Sequence, residues 1–404
     1  MAADLNILVV DDTVTYRQIL SRLVSEIDGA TLVGTASNGK IALSRIGMSE
    51  TDLVLLDMYM PVMDGLETLK SIKAQYPHIE VIMLSAFDEG NAKLTVLALE
   101  NGALDFIPKP SGGSAEENIS KLRTSLFPLM SLVKTRKFSR KARSISISDN
   151  KTIKSPKKTI PEKISLRKPD TIPSWKKYSE KAVDKLVDKT AKKNKDEIKV
   201  SIAGRKKIGQ IDIVGLGVST GGPNALLKVI PLINKEFQVP ILCVQHMPPM
   251  FTASLAERLN KLSNIEVVEA KDGEIIKNGK MYIAPGGRHM VARKGASDYI
   301  VGLVDTPPVN SCRPAVDVLF RSMINIFGGN ILTVIMTGMG NDGMAGVSAI
   351  RRKGGYSIVQ DESSSVVWGM PGAVAKSDNA DEIVVLDNMA VRIEEIVTKG
   401  KSRC

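Results

Sequence analysis

Ser219 stands between glycines in Gly217-Val218-Ser219-Thr220-Gly221, directly after the apolar run 211–217. Small residues at a strand-to-helix turn allow the sharp backbone that exposes a nucleophilic hydroxyl. Two other readings compete. A dinucleotide-binding G-x-G-x-x-G fails because Thr220 stands where the third glycine belongs, and a glycine-rich turn could simply start a helix. A serine nucleophile needs a base, and the chain has three histidines. His246 ends the apolar run 240–245 and is the first candidate. His289, in a loop after another apolar run, is the second, and His78 lies beside Pro77 in a different region. The base needs an orienting carboxylate. Asp342 follows the run 331–336 in the glycine-rich stretch 337–343 and fits that role. Its alternative duty is to cap a helix over 344–353, and one residue can do both. Backbone N–H groups near Thr220, Gly221 and Met339 are then candidate donors to an oxyanion.

A second set of residues suggests different chemistry. Asp11 and Asp12 end the first apolar run, Asp57 ends another, and Ser85 and Lys109-Pro110 follow two more. In a parallel sheet such positions converge on one rim. Three clustered carboxylates repel one another, and a hard divalent cation such as Mg²⁺ offsets that. Lys109 and the Ser85 hydroxyl could stabilise an anion attached to Asp57. Isolated aspartates at strand ends are often helix caps, but five positions in order exceed that explanation.

The elements that must hold these residues alternate. Strands are predicted over 5–10, 31–34, 53–56, 81–84 and 104–107, with helical periods such as 13–27 and 66–74 between them. A second series places strands over 211–217, 240–245, 265–268, 280–284, 331–336 and 356–360, with helices over 224–232, 252–262, 316–326 and 344–353. Both read as α/β, doubly wound parallel sheets. The expected domains are 1–130 and 209–404, joined by a linker over 131–208. The net charge of +11 belongs to that linker: residues 131–210 hold 25 Lys+Arg against 8 Asp+Glu. The other 324 residues carry 30 basic and 36 acidic side chains, so the folded parts lack the charge of a nucleic-acid binder. With prolines at 156, 161, 169 and 173, residues 134–208 read as disordered or weakly helical, with one short amphipathic helix over 178–198. A solvated spacer is the plainer reading of that charge; contact with acidic lipid head groups or nucleic acid is the other.

At 43% hydrophobic and 25% charged, the composition excludes a wholly disordered, collagen-like or multi-span membrane chain. Three scattered cysteines form neither a disulfide framework nor a zinc site. The N-terminus has no signal-peptide pattern, and a cytoplasmic protein is expected.

The stretch Leu55-Leu56-Asp57-Met58-Tyr59-Met60-Pro61-Val62-Met63-Asp64-Gly65, with the five rim positions, resembles the receiver domain of response regulators over residues 5–127. The resemblance implies a flavodoxin-like fold and phosphoryl transfer from a histidine kinase to Asp57. It implies Mg²⁺ held by Asp12, Asp57 and the Tyr59 carbonyl, with Asp11 acting through water. Ser85 and Phe106 match the switch pair and Lys109 the invariant lysine. Further on, Ser219-Thr220-Gly221-Gly222, Gln245-His246-Met247-Pro248-Pro249, Tyr282-Ile283-Ala284-Pro285-Gly286, Arg313-Pro314-Ala315-Val316-Asp317-Val318-Leu319-Phe320, the 337–343 stretch and Gly369-Met370-Pro371 resemble the CheB-type chemoreceptor glutamate methylesterases.

That family implies a triad of Ser219, His246 and Asp342. It implies a parallel sheet with an antiparallel hairpin, for which residues 265–305 are suited, and no cofactor in the catalytic domain. The implied substrates are γ-glutamyl methyl esters, and also glutamines, of methylated chemoreceptors. The implied phosphodonor is the chemotaxis histidine kinase; no specific nucleic acid is implied, and the membrane is met only through receptors or the basic linker. Two readings of another class remain: a receiver with a DNA-binding output, which the absence of a helix-turn-helix pattern disfavours, and a non-catalytic signalling adaptor in which Ser219 only caps a helix.

Overall fold

The computed structural model describes residues 5–148 and 208–401. The first strands form a five-stranded parallel sheet in the order β2-β1-β3-β4-β5. They are β1 (Leu5–Val10), β2 (Ala30–Ala36), β3 (Leu53–Asp57), β4 (Glu80–Ser85) and β5 (Asp105–Pro108). Crossovers run through α1 (Val14–Ser25), α2 (Gly39–Ile46), α3 (Gly65–Gln75) and α4 (Glu89–Glu100). β3 and β4 are buried along their whole length, as expected of strands covered on both faces. This is why they were visible as unbroken apolar runs.

α5 spans Ala115–Ser148 with Pro128 inside it. Residues 134–148, expected to belong to a disordered or weakly helical linker, continue this helix. Leu122, Leu126, Leu129, Met130 and Val133 carry the apolar repeat of α5 into the core beside β1 and β3, and the helix continues beyond that anchored stretch. The helix expected over 178–198 lies outside the described residues.

The second sheet has seven parallel strands in the order β14-β13-β12-β6-β7-β9-β8. Its centre is β12 (Ile331–Ile335), β6 (Ile213–Val218) and β7 (Ile241–Gln245), all fully buried. β8 (Glu266–Glu269) and β9 (Lys280–Ile283) close one edge; β13 (Tyr356–Gln360) and β14 (Glu382–Val384) close the other. The helices are α6 (Gly222–Val229), α7 (Phe251–Leu262), α8 (Val316–Phe327), α9 (Met344–Arg352), α10 (Met370–Lys376) and α11 (Met389–Lys401). The antiparallel hairpin is confined to β10 (His289–Lys294) and β11 (Tyr299–Val304), a separate two-stranded sheet. Residues 266–283 are not part of it: β8 and β9 pair parallel in the main sheet, joined by residues 270–279.

β6 lies between β7, which follows it in the chain, and β12, which does not. The carboxyl ends on either side of such a reversal form the crevice where ligands of open α/β sheets bind. β1, between β2 and β3, creates the same crevice in the first sheet.

Candidate active site

Ser219, His246 and Asp342 follow β6, β7 and β12, three adjacent strands. Their register is tight: Gly217 pairs with both Val244 and Ile335. Gly221 has φ +73°, a left-handed conformation that favours glycine, and it turns the chain from β6 into α6. Gly338 packs so closely on Ser219 that an added Cβ would sit 2.8 Å from the Ser219 Cβ.

His246 Nε2 donates to Asp342 Oδ2 at 2.8 Å. On the other side of the ring, Nδ1 lies 3.5 Å from Cys312 Sγ. Burial alone would lower the His246 pKa, but the hydrogen bond to Asp342, with Cys312 adding to it, holds it up at about 9. Burial would raise Asp342, yet the His246 hydrogen bond, followed by those from Asn310 and Val316, keeps it below the usual carboxylate range. Ser219 Oγ is not hydrogen-bonded to His246.

Asp342 does cap a helix, but not the expected one. Its oxygens accept from Val316 N–H at 2.6 Å and Asp317 N–H at 3.1 Å, the first residues of α8. The N-cap position of α9 is Gly343. The candidate oxyanion residues lie around the same crevice. The Thr220 carbonyl accepts from Thr337 Oγ1 at 2.9 Å, Gly221 turns the chain beside Val366, and Met339 follows Gly338 in the loop after β12.

The second candidate base is excluded by its partners. His289 is fully buried; its Nδ1 accepts from Ala315 N–H and its Nε2 donates to the Pro307 carbonyl, both at 3.1 Å. It pins the segment 307–315. His78 lies between α3 and β4 of the first sheet.

At the first crevice, one oxygen from each of Asp11, Asp12 and Asp57 lies within 4.8 Å of the others. Lys109 Nζ is 2.7 Å from both Asp11 Oδ2 and Asp57 Oδ1 and sits over the Tyr16 ring. Burial pushes Asp57 up to about 6, with Lys109 opposing. Three carboxylates against one ammonium leave two negative charges on hard oxygen donors, a set that fits a divalent cation; Tyr59, with its carbonyl, is in the loop after β3. Ser85 is fully buried and shares a 2.7 Å hydrogen bond with Thr95. Phe106 is buried too, its ring 4.5 Å from that of Phe251 at the start of α7.

Two family descriptions match the chain, one over each sheet. The description "Response regulator receiver domain" matches residues 7–120, and "CheB methylesterase" matches residues 214–393. The protein-glutamate methylesterase/protein-glutamine glutaminase of Trichodesmium erythraeum is 41% identical over 97% of this chain and 98% of its own. That of Desulfotalea psychrophila is 42% identical over 98% of this chain and 99% of its own.

The chain belongs to this methylesterase family.

The crystal structure of the Thermotoga maritima CheB methylesterase catalytic domain is 39% identical, covers 46% of this chain and 100% of its own, with a TM-score of 0.46. The receiver and the methylesterase sheet of the present CheB-family chain meet through α4–β5 and α6–α7. Arg258 makes two hydrogen bonds to Glu100, of 2.9 and 2.8 Å. Lys93 pairs with Glu257 at 3.5 Å, Asn224 Nδ2 donates to the Ala103 carbonyl, and Phe251 lies against both Phe87 and Phe106. Asp105, which burial pushes up to about 6, is hydrogen-bonded to Thr220, the neighbour of Ser219. Among the described residues no helix is long and apolar enough to cross a membrane.

Sequence reasoning missed Asn310, Cys312, Asp105 and Phe251. Asn310-Ser311 before Arg313-Pro314 carried a turn signal, but nothing in it pointed to the triad.

Proposed function

We propose that Ser219, His246 and Asp342 form the hydrolytic triad of this methylesterase. The substrates are γ-glutamyl methyl esters, and receptor glutamines, on methylated chemoreceptors. The observation that carries the reading is the 2.8 Å His246–Asp342 hydrogen bond at the carboxyl ends of strands flanking the one that delivers Ser219. His246 Nδ1 takes the Ser219 proton as Oγ attacks the ester carbonyl. Asp342 stabilises the imidazolium. N–H groups around Thr220, Gly221 and Met339 receive the oxyanion. The imidazolium returns its proton to the departing methoxide, and water then releases glutamate from the acyl-serine.

Asp57 is the acceptor of a phosphoryl group from the chemotaxis histidine kinase. Asp12, Asp57 and the Tyr59 carbonyl, with Asp11 through water, would hold Mg²⁺, which neutralises charge in phosphoryl transfer. The catalytic region uses no metal in this reading. Residues 1–130 act as the switch, 131–208 as the connector and 209–404 as the enzyme, and the protein works in the cytoplasm. Phosphorylation reorganises α4–β5, where Phe106 rests on Phe251 and Asp105 on Thr220. The aromatic pair contributes about 0.5–1.5 kcal/mol and the half-buried Arg258–Glu100 pair less than about 1 kcal/mol. A phosphoryl group that makes even one charge-assisted hydrogen bond, worth about 1.5–3 kcal/mol, competes with these contacts.

The test is methanol release from methylated receptor membranes, by wild type and Ser219→Ala, with and without a small phosphodonor. Release by wild type alone, increased by the donor, supports the reading. Release by Ser219→Ala, or none by wild type on receptor or on a short esterified peptide, overturns it.

A further inference from the structure

The turn Val309-Asn310-Ser311-Cys312 touches the triad without supplying a member of it. Asn310 has φ +53° and Ser311 φ +61°, and Val309 and Cys312 exchange backbone hydrogen bonds of 3.0 and 2.9 Å. Two consecutive left-handed residues without glycine are costly. Buried His289 fixes the flanking segment from below. The turn holds Asn310 Nδ2 2.8 Å from Asp342 Oδ1 and 3.0 Å from Asp317 Oδ2. Both acceptors are carboxylates and both are buried. The amide orientation follows from them, because the reverse flip would aim an oxygen at two anions.

We propose that Asn310 is a positioning residue of the hydrolytic reaction: it clamps Asp342 and Asp317 together, so that Oδ2 of Asp342 is held toward His246. The inference rests on the Ser219–His246–Asp342 reading. Asp317 accepts from Gly346 N–H at 2.7 Å through its other oxygen, which ties the start of α8 to the first turn of α9. Without the amide the two carboxylates would repel, and water entering over exposed Asn310 would solvate Asp342 and weaken its hold on the imidazolium. Asparagine suits the task because it donates two hydrogens and adds no charge. A lysine or arginine there would cancel the negative charge that His246 needs. The charged and titratable groups facing Asp342 are His246 from the end of β7 and Asp317 on α8; Arg321 acts on Asp317, and Cys312 faces His246.

The experiment uses the full chain with a small phosphodonor and methylated receptor membranes, and measures kcat, KM and the pH dependence of kcat/KM. Asn310→Gly keeps the left-handed backbone and removes both hydrogen bonds. It lowers kcat roughly tenfold with KM nearly unchanged, since small misplacements of a catalytic group cost that much or more. Asn310→Asp keeps the shape and adds a charge; it moves the limb set by His246 upward by on the order of one pH unit. Asp317→Asn removes a neighbouring charge and moves the same limb the other way. A kcat within twofold of wild type for Asn310→Gly, a loss confined to KM, or an unmoved limb in Asn310→Asp overturns the proposal. So does failure of both Asn310 variants to fold, which would make the residue a folding element only. Inactive wild type, or active Ser219→Ala in parallel, would instead break the triad reading.

Discussion

The two crevices sit at equivalent places in two parallel sheets, and each is built around a buried aspartate, yet they treat that charge in opposite ways. Asp342 is supplied with fixed donors: three backbone N–H groups, the Asn310 amide and His246. Its pKa is held down and it stays ionised. Asp57 receives one backbone N–H, from Met58, and one lysine shared with Asp11, and burial pushes it up to about 6. A carboxylate with permanent partners stabilises a transient cation next to it. A carboxylate short of partners, among other carboxylates, favours added charge from solution, first a cation and then a phosphoryl group. In the proposed reading, fixed compensation belongs to the catalyst and missing compensation to the switch.

The largest test of this contrast is Asp342→Asn. It keeps the shape but disturbs the histidine tautomer, and should lower methanol release by roughly 10⁴-fold, as such changes do in serine triads, with or without phosphodonor. Release within tenfold of wild type would erase the distinction. Next in size, Asp57→Asn, or chelation of divalent cations, should abolish the donor-dependent increase in release; an increase that survives chelation would show that the first crevice needs no cation. A pH series comes third. The base must be neutral, so kcat/KM should climb as pH rises and level off near pH 9, where His246 loses its proton. A limb near the ordinary histidine value would mean that Asp342 does not hold the imidazolium. The smallest effect is expected at the contact between the two regions. Arg258→Ala removes the half-buried pair worth less than about 1 kcal/mol and should raise donor-free release about two- to fivefold; unchanged release would mean that this pair does not restrain the enzyme.

The strands were legible because β1, β3, β4, β6, β7, β12 and β13 are buried nearly throughout and so are written as apolar runs. β14 was not, since it has three residues and begins with Glu382, whose charge Arg392 and Tyr356 satisfy. The extent of α5 past residue 134 was hidden by lysine and serine composition, and the hairpin was drawn too wide because β8 and β9 are short and begin with charged residues, unlike the apolar runs of the central strands. The proposed triad was suggested by residue order along the chain and by the scarcity of histidines. The residues around it could not be read that way. Asn310 meets Asp342 across 32 residues, and Asp105 meets Thr220 from the other sheet; neither pairing leaves a local periodicity.

The double duty of Asp342 has a practical consequence. The carboxylate that orients the base also holds the first amides of α8, so the opening turn of that helix and the competence of the triad should be lost together. Hydrogen exchange at Val316, Asp317 and Gly343, whose N–H groups bond this one side chain, would then report the fraction of catalytically ready molecules directly, with no substrate present. Slow exchange at these three amides would mark an enzyme assembled and waiting, and rapid exchange one whose chemistry has already come apart while the rest of the sheet stays folded.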